Sequence, residues 1–509
     1  MTGHTAPWPL LDLDIAEMRA VGHTPVPFRQ FILKVHSRCN LSCSYCYVYE
    51  MADQGWRGLP KRMSRVTADA TVQRIAEHAR QHDLPCVEVI LHGGEPLLAG
   101  AQWLTELVES LRARVPAQVN VVVQTNGTLL DRPMLQALKR LGLRVGVSLD
   151  GDAEATGRHR RYANGRNSFG DVSEGLRLLD SPEFRDIYGG ILCTIDVDND
   201  PIATYETLLT FNPPALDLLL PHANWSCPPP SRGYAGWLID VFERWYSAPE
   251  QETWVRLFAE LIQLVFGQPG AMEGLGLLPG TLVVVETDGS IKQLDSLSST
   301  YPGAADTGLH VNTDSFDAAL DHPTTVARQI GVDALSPECQ VCSVMEICGG
   351  GLYPHRYRGG KGFRNRSVYC GDLMRLITHV RHRVLRDIRE LNSAVVAPFL
   401  VRAVGQGHSV NDAISIAATA GIAVWLGCRL DRSRRALKTP HLETDIAPWW
   451  DARHGSHMGG WESSPPAQYG SISAVRRVRW AAARASGCSV VSVASYRRST
   501  SASRRSAPA

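Results

Sequence analysis

Along the first half of the chain, the spacing of apolar positions switches repeatedly between two periods. Short apolar or β-branched runs recur: FRQFILKV (28–35), CVEVIL (86–91), VNVVVQ (119–124), RVGVSL (144–149), and stretches near 190–196 and 215–221. Between them lie segments of helical period. One runs near 65–82, with Thr67 as its expected N-cap and Val72, Ile75 and Ala79 on one face. Others span Trp103–Val115, Met134–Leu141, 169–180 and 202–210. Six strand–helix repeats predict parallel βα units, hence an α/β fold built as an open or partial (β/α)6 barrel. The glycine-rich and polar segments fall just after the strands, at the edge where parallel α/β folds build their sites.

The pattern then changes. Two helices are expected near 234–247 and 251–266, and LVVVETDGSIKQLD (282–295) predicts two short strands around the turn Asp288-Gly289. A cysteine-rich stretch, 339–370, precedes a long basic amphipathic helix over 373–395. Residues 471–509 hold many Arg and Ser but no Asp, Glu or Lys, which reads as a disordered tail.

Composition narrows the class. The chain has 509 residues, 44% hydrophobic and 20% charged, which fits a globular protein of two or three domains. A net charge of +1 gives no argument for nucleic acid. The start, MTGHTAPWPLLDLDIAEMRAV, lacks the basic and apolar regions of a secretory signal. The longest apolar stretch, Ala413 to Gly427, is short for a membrane span. A cytoplasmic protein is the expectation. There thiols stay reduced, so clustered cysteines point to metal or to chemistry.

Two such clusters exist. RCNLSCSYCYVYE (38–50) places Cys39, Cys43 and Cys46 on one loop after the first strand. Soft thiolates select zinc, Cu(I) or iron–sulfur centres. A structural zinc site would want a fourth ligand, and the loop holds none. The second cluster, Cys339-x2-Cys342-x5-Cys348 followed by Cys370, also matches a four-cysteine zinc ribbon by spacing alone. Cys86, Cys193, Cys227, Cys428 and Cys488 stand alone and read as ordinary buried or tail thiols.

The spacing CxxxCxΦC, with Tyr45 as the aromatic, resembles the radical S-adenosylmethionine (SAM) superfamily. The resemblance implies a four-iron cluster held by Cys39, Cys43 and Cys46, whose open iron binds the amino and carboxyl groups of SAM and whose electron cleaves it to a 5′-deoxyadenosyl radical. It assigns HGGEP (92–96) to the SAM amino group through Gly93, Gly94 and the Glu95 carboxylate. TNG (Thr125, Asn126) and SLDG end the next two strands, with Ser148 a candidate ribose ligand and Asp150 a rim residue. RHRRY (158–162) is a candidate source of a carboxylate-binding arginine.

Behind such a core, the second cluster resembles a SPASM extension with positions missing. Leu294 and Leu352 stand where ligands of a first auxiliary cluster belong. The resemblance implies one auxiliary four-iron cluster, ligated by Cys339, Cys342, Cys348 and Cys370. CNLSCSYCYVYEMADQGWRGLPKRMS, LLLPHANWSCPP, VVETDGSIKQLDSL and GGGLYPHRYRGGKGFRNRSVYCGDL together resemble the FxsB family, maturases of ribosomally made peptides. That resemblance implies an oxidoreductase that joins a side-chain Cβ to an aromatic ring in a precursor peptide, with a flavodoxin or ferredoxin as electron donor and no nucleic-acid or membrane partner. A sulfatase-maturase-like enzyme making formylglycine and a non-enzymatic metal-binding protein are the alternatives.

The expected organisation is a cap or leader-contact segment (1–27), the radical SAM core (28–230), a helical linker (231–280), a SPASM/twitch-like auxiliary domain (281–395), a helical segment (396–440) and the tail (441–509). His222 to Trp225 is a candidate peptide contact, with Trp225 equally a core residue, and Val283 to Glu286 a candidate partner for a leader strand. Asp295, Asp314 and His355 are candidates for a general acid or base.

Overall fold

The computed structural model describes residues 7–229 and 233–392; the helical segment expected over 396–440 and the tail lie outside the described residues. Six parallel strands carry the first half: β1 (Gln30–His36), β2 (Cys86–Gly93), β3 (Gln118–Thr125), β4 (Arg144–Ser148), β5 (Tyr188–Thr194) and β6 (Ala215–Leu219). They lie side by side in chain order, as repeated βα units require. A two-residue strand β7 (Trp254–Val255) ends the sheet beyond β6. The interior of β1, FILKV, is buried throughout, the mark of a parallel strand covered on both faces.

Several of the helices between strands start on side-chain caps. Ser64, not Thr67, caps the Arg65–Gln81 helix: its Oγ accepts from the Thr67 N–H at 3.0 Å. Asp131 caps Arg132–Arg140 and Asp200 caps Pro201–Leu209 in the same way. The last described helix, Cys370–Asn392, begins three residues before its expected start.

The stretch around Asp288-Gly289 does form strands, β8 (Leu282–Val285) and β9 (Ser290–Lys292), with β10 (Asp306–His310) beyond them. They join the barrel's own sheet. β8 runs parallel to β1 and antiparallel to β9, so the order is β10-β9-β8-β1-β2-β3-β4-β5-β6-β7. This corrects the leader-strand expectation. β8 is paired on both sides, with β1 and with β9, and among the described residues the sheet's edges are β7 and β10. Among the described residues no helix is long and apolar enough to cross a membrane.

Candidate functional site

The ends of β1 to β6 share one rim, and the three-cysteine loop crosses it. The loop leaves β1 at His36 and lies on the end of β2. Gly94 N–H donates to the His36 carbonyl at 2.8 Å, and Glu95 N–H to the Arg38 carbonyl at 3.0 Å. A side chain at Gly93 would collide with the His36 carbonyl, and one at Gly94 with the Tyr49 hydroxyl and the Arg38 carbonyl. The glycines of HGGEP let the loop backbone touch the strand end.

Glu95 is completely buried. Its carboxylate accepts from Thr125 Oγ1 at 2.7 Å, Leu97 N–H at 3.0 Å and Asn126 N–H at 2.8 Å. It ties the end of β2 to the end of β3, with both oxygens engaged inside the protein. Burial pushes its pKa up against the pull of these bonds. Asn126 carries the link to the cysteines, its Nδ2 standing 2.8 Å from Asn40 Oδ1 and 3.5 Å from Cys39 Sγ.

A second clasp lies under Tyr45. Its hydroxyl donates to the Asp150 carboxylate and accepts from Arg160 Nη1 at 2.8 Å. Asp150 also accepts from the Thr194 N–H at 3.0 Å. Asp150 is buried, not open at the rim. Of the RHRRY arginines, Arg160 faces the loop, and its Nε is buried without a hydrogen-bond partner. Ser148 Oγ accepts from Gln124 Nε2 at 3.1 Å.

All three loop thiols are free. Burial pushes Cys39 up to about 12 and Cys43 to about 11, and raises Cys46 as well. Opposing this, Leu41 N–H points at Cys39 Sγ from 3.4 Å, the Val48 and Tyr49 backbones bond Cys46, and Arg160 acts on Cys43 and Cys46. Buried thiols of this kind ionise only against added positive charge, which a metal centre supplies. The donor set therefore fits a thiolate-bound cluster, and the unpartnered Arg160 N–H fits an anionic group beside it.

Sequence reasoning missed most of the polar groups next to the loop. Lys34, in the middle of β1, is 3% exposed. Its Nζ lies 2.6 Å from Asp295 Oδ2 and 2.9 Å from His92 Nδ1, and Tyr47 Oη donates to Asp295 at 2.6 Å. Burial opposes ionisation of Asp295. The Lys34 ammonium, His92 and the two hydrogen bonds overcome it and hold the carboxyl well below the usual range. Burial, with Lys34 beside it, pushes His92 down to about 3. Lys34, Tyr47, Gly93, Glu286 and Asp295 line a cavity of about 100 Å³. A lysine inside an otherwise apolar strand was the available signal. Of the other acid–base candidates, Asp314 is half-buried, hydrogen-bonded to Thr313 and the His310 N–H, and His355 is buried beside His222.

The second cysteine set is brought together at the far end of the described chain. Cys342 N–H donates to the Cys339 carbonyl and Met345 N–H to the Cys342 carbonyl, each at 3.1 Å, and Cys348 N–H to the Val344 carbonyl at 2.8 Å. Gly349, Gly350 and Gly351 all take positive φ, which turns the chain sharply after Cys348. The buried Arg356 holds that turn, donating to the Gly349 carbonyl at 2.6 Å, Gly350 at 3.1 Å and Gly351 at 2.8 Å. Leu294 lies instead in an apolar core with Trp8, Leu297, Tyr353, Tyr357 and Phe363, where the Tyr353 and Phe363 rings stack at 4.6 Å. Trp225 is 40% exposed, so it is not a core residue; its Nε1 donates to the Arg366 carbonyl at 2.7 Å. Of the isolated thiols, Cys193 is buried and Cys227 exposed, while Cys428 and Cys488 lie outside the described residues.

Residues 33–208 match the family described as the Radical SAM superfamily. Over that stretch, which runs from β1 through β5 and the helix that follows it, the chain is similar to the radical SAM superfamily. Among curated proteins, the chain is 26% identical over 286 residues to a cysteine-type anaerobic sulfatase-maturating enzyme of Clostridium perfringens, covering 53% of this chain and 74% of the relative. It is 24% identical over 403 residues to the serine-type enzyme of Klebsiella aerogenes, covering 75% and 93%. The solved structure of native anSMEcpe with bound AdoMet and Cp18Cys peptide matches with a TM-score of 0.60 at 20% identity, over 72% of this chain and all of that one.

Proposed function

We propose that this chain is a peptide-modifying radical SAM oxidoreductase that forms a carbon–carbon crosslink between a side-chain Cβ and an aromatic ring of a precursor peptide. Cys39, Cys43 and Cys46 would hold the SAM-binding cluster, and Cys339, Cys342, Cys348 and Cys370 one auxiliary cluster. When bound, the cluster and SAM supply a 5′-deoxyadenosyl radical able to abstract hydrogen. The observation that supports this reading over a sulfatase-maturase-like one, for which two auxiliary clusters are expected, is the apolar core around Leu294. Leu294, which the SPASM resemblance aligns with a ligand of a first auxiliary cluster, packs there among apolar side chains, which supports a single auxiliary set. A fully ligated set suits electron acceptance, which the loss of two hydrogens demands.

The chain's own groups have separable tasks. The Glu95 clasp fixes the strand ends beneath the loop. Arg160 presents its free Nε–H to an anionic group such as the SAM carboxylate. Thr125, Asn126, Ser148 and the Gly93-Gly94 backbone remain the candidate contacts to the rest of SAM. Asp295, which lines the cavity, is the candidate acceptor for the proton that the aromatic ring loses once the new bond has formed, its pairing with Lys34 making it a weak base for that step. His222 Nδ1 and His355 Nε2 are buried without partners and offer polar contacts to the peptide.

The sulfatase-maturating relatives favour a second reading, oxidation of a Cys or Ser to formylglycine. One assay separates the two. Precursor peptide with deuterium at the candidate Cβ is incubated with reduced enzyme and SAM. A crosslink gives a two-hydrogen loss, deuterium in 5′-deoxyadenosine, and linked fragments in tandem mass spectra. An aldehyde trapped by a hydrazide would establish formylglycine formation instead.

A further inference from the structure

The Arg65–Gln81 helix runs antiparallel to the strands and ends near Cys86, where β2 begins, at the opposite end of the barrel from the cysteine loop. Two imidazoles face one side there. His78 sits in the last turn, and His82, the C-cap, follows four residues later. That spacing puts both rings on one face, with centroids 4.6 Å apart. Asp317, in the first turn of the short helix Phe316–Leu320, closes the group. Its Oδ1 lies 2.8 Å from His78 Nδ1 and 2.6 Å from His82 Nε2. The three ligand atoms all lie within 4.8 Å of one another.

His78 points to a ligand. It is 1% exposed and packed against the rings of Phe28, Phe31 and Phe316. Neither of its ring nitrogens makes a hydrogen bond of good geometry, although Nδ1 faces Asp317 at close range. His82 and Asp317 are each about a quarter exposed, which gives an ion a way in and a water a place to bind.

We propose that His78, His82 and Asp317 form a binding site for one divalent cation of the zinc type, with solvent completing the shell. Two imidazoles and one carboxylate are borderline donors that suit Zn²⁺ and its neighbours over Ca²⁺ or Mg²⁺. Ligands about 2.1 Å from a tetrahedral ion stand about 3.4 Å apart, so the carboxylate would move back by roughly 0.6 to 0.8 Å on loading. Phe316, beside Asp317, packs on Phe31 of β1 with ring centroids 5.1 Å apart. The ion would therefore clip the first barrel helix to a segment from beyond β10. It is distinct from both cysteine sets in place and in ligand chemistry.

The test uses cluster-loaded full-length protein, so that no cysteine set is open to the added metal. The protein is dialysed anaerobically against micromolar Zn²⁺, then analysed for zinc, iron and sulfide and by zinc-edge X-ray absorption. One zinc per chain in an all-nitrogen-and-oxygen shell is expected in the wild type. His82→Ala and Asp317→Asn, both at partly exposed positions, should lose that zinc with iron and sulfide unchanged. Zinc should also raise the wild-type melting temperature and leave the variants unmoved. No retained zinc, zinc in a sulfur shell near 2.3 Å, or equal retention by wild type and variants would overturn the site and leave Asp317 as a plain ion-pair bridge between two histidines.

Discussion

The two cysteine sets differ in what surrounds them. The three-cysteine loop is braced by buried charge: Glu95 beneath it, the Tyr45–Asp150–Arg160 clasp at its side, and Lys34 with Asp295 along the cavity. The four-cysteine set has one buried arginine, spent on three glycine carbonyls, and an apolar core beside it. Buried charge is costly unless paired, and here nearly every such group is paired. The exception at the loop is the Arg160 Nε–H. On the proposed reading, three thiols would leave a metal centre open beside polar groups suited to a ligand, and four would close theirs within apolar packing.

The largest expected effect falls on this contrast. Cys43→Ala should lower 5′-deoxyadenosine release by about a thousandfold or more, whereas Cys348→Ala should leave release within about tenfold and abolish the modified peptide. Equal loss in both would erase the distinction between the sets. Next comes Asp295→Asn. Loss of a positioned base costs on the order of 10² to 10⁴ in rate. Peptide product should fall in that range while 5′-deoxyadenosine release persists, and a parallel loss of both would place Asp295 in SAM binding instead.

Much of this was legible in the sequence. The six parallel strands and the rim followed from the period of the apolar positions, because a buried parallel strand must be apolar and its site must lie beyond its end. The cysteine spacing drew attention to both sets. Other features were not legible. The union of β8 with β1 depends on long-range pairing that no local pattern encodes. Glu95 and Asp150 read as ligand contacts because the motif carries carboxylates, while their bonds to Thr125, Asn126 and Tyr45 come from residues 30 to 105 positions away. Trp225 was ambiguous because an indole serves a core or a surface equally well.

Smaller effects sharpen the packing side of the comparison. Leu294→Ala opens a cavity in the apolar core and should cost about 2 to 5 kcal/mol. Denaturant unfolding of the cluster-loaded protein checks it, and a loss well under 1 kcal/mol would mean that this core collapses freely. The last effect is a slope with pH. Burial holds His92 near 3, His222 near 4 and His355 near 3. Their folded values lie below the unfolded value of about 6.5, so between these limits the unfolded chain binds more protons and stability falls as pH falls. Each contributes up to about 1.4 kcal/mol per pH unit in that window. Unfolding midpoints from pH 7 to 5 should drop, and His222→Gln should flatten the slope.

The central claim is that Cys39, Cys43 and Cys46 hold the centre that cleaves SAM. Its most direct test is 5′-deoxyadenosine release, measured by mass spectrometry after anaerobic reconstitution with iron and sulfide and addition of SAM, reductant and precursor peptide. Release by the wild type and none by the Cys39/Cys43/Cys46→Ala variant is the expected result. No release from a wild-type protein that holds its iron, or equal release from the variant, would contradict it.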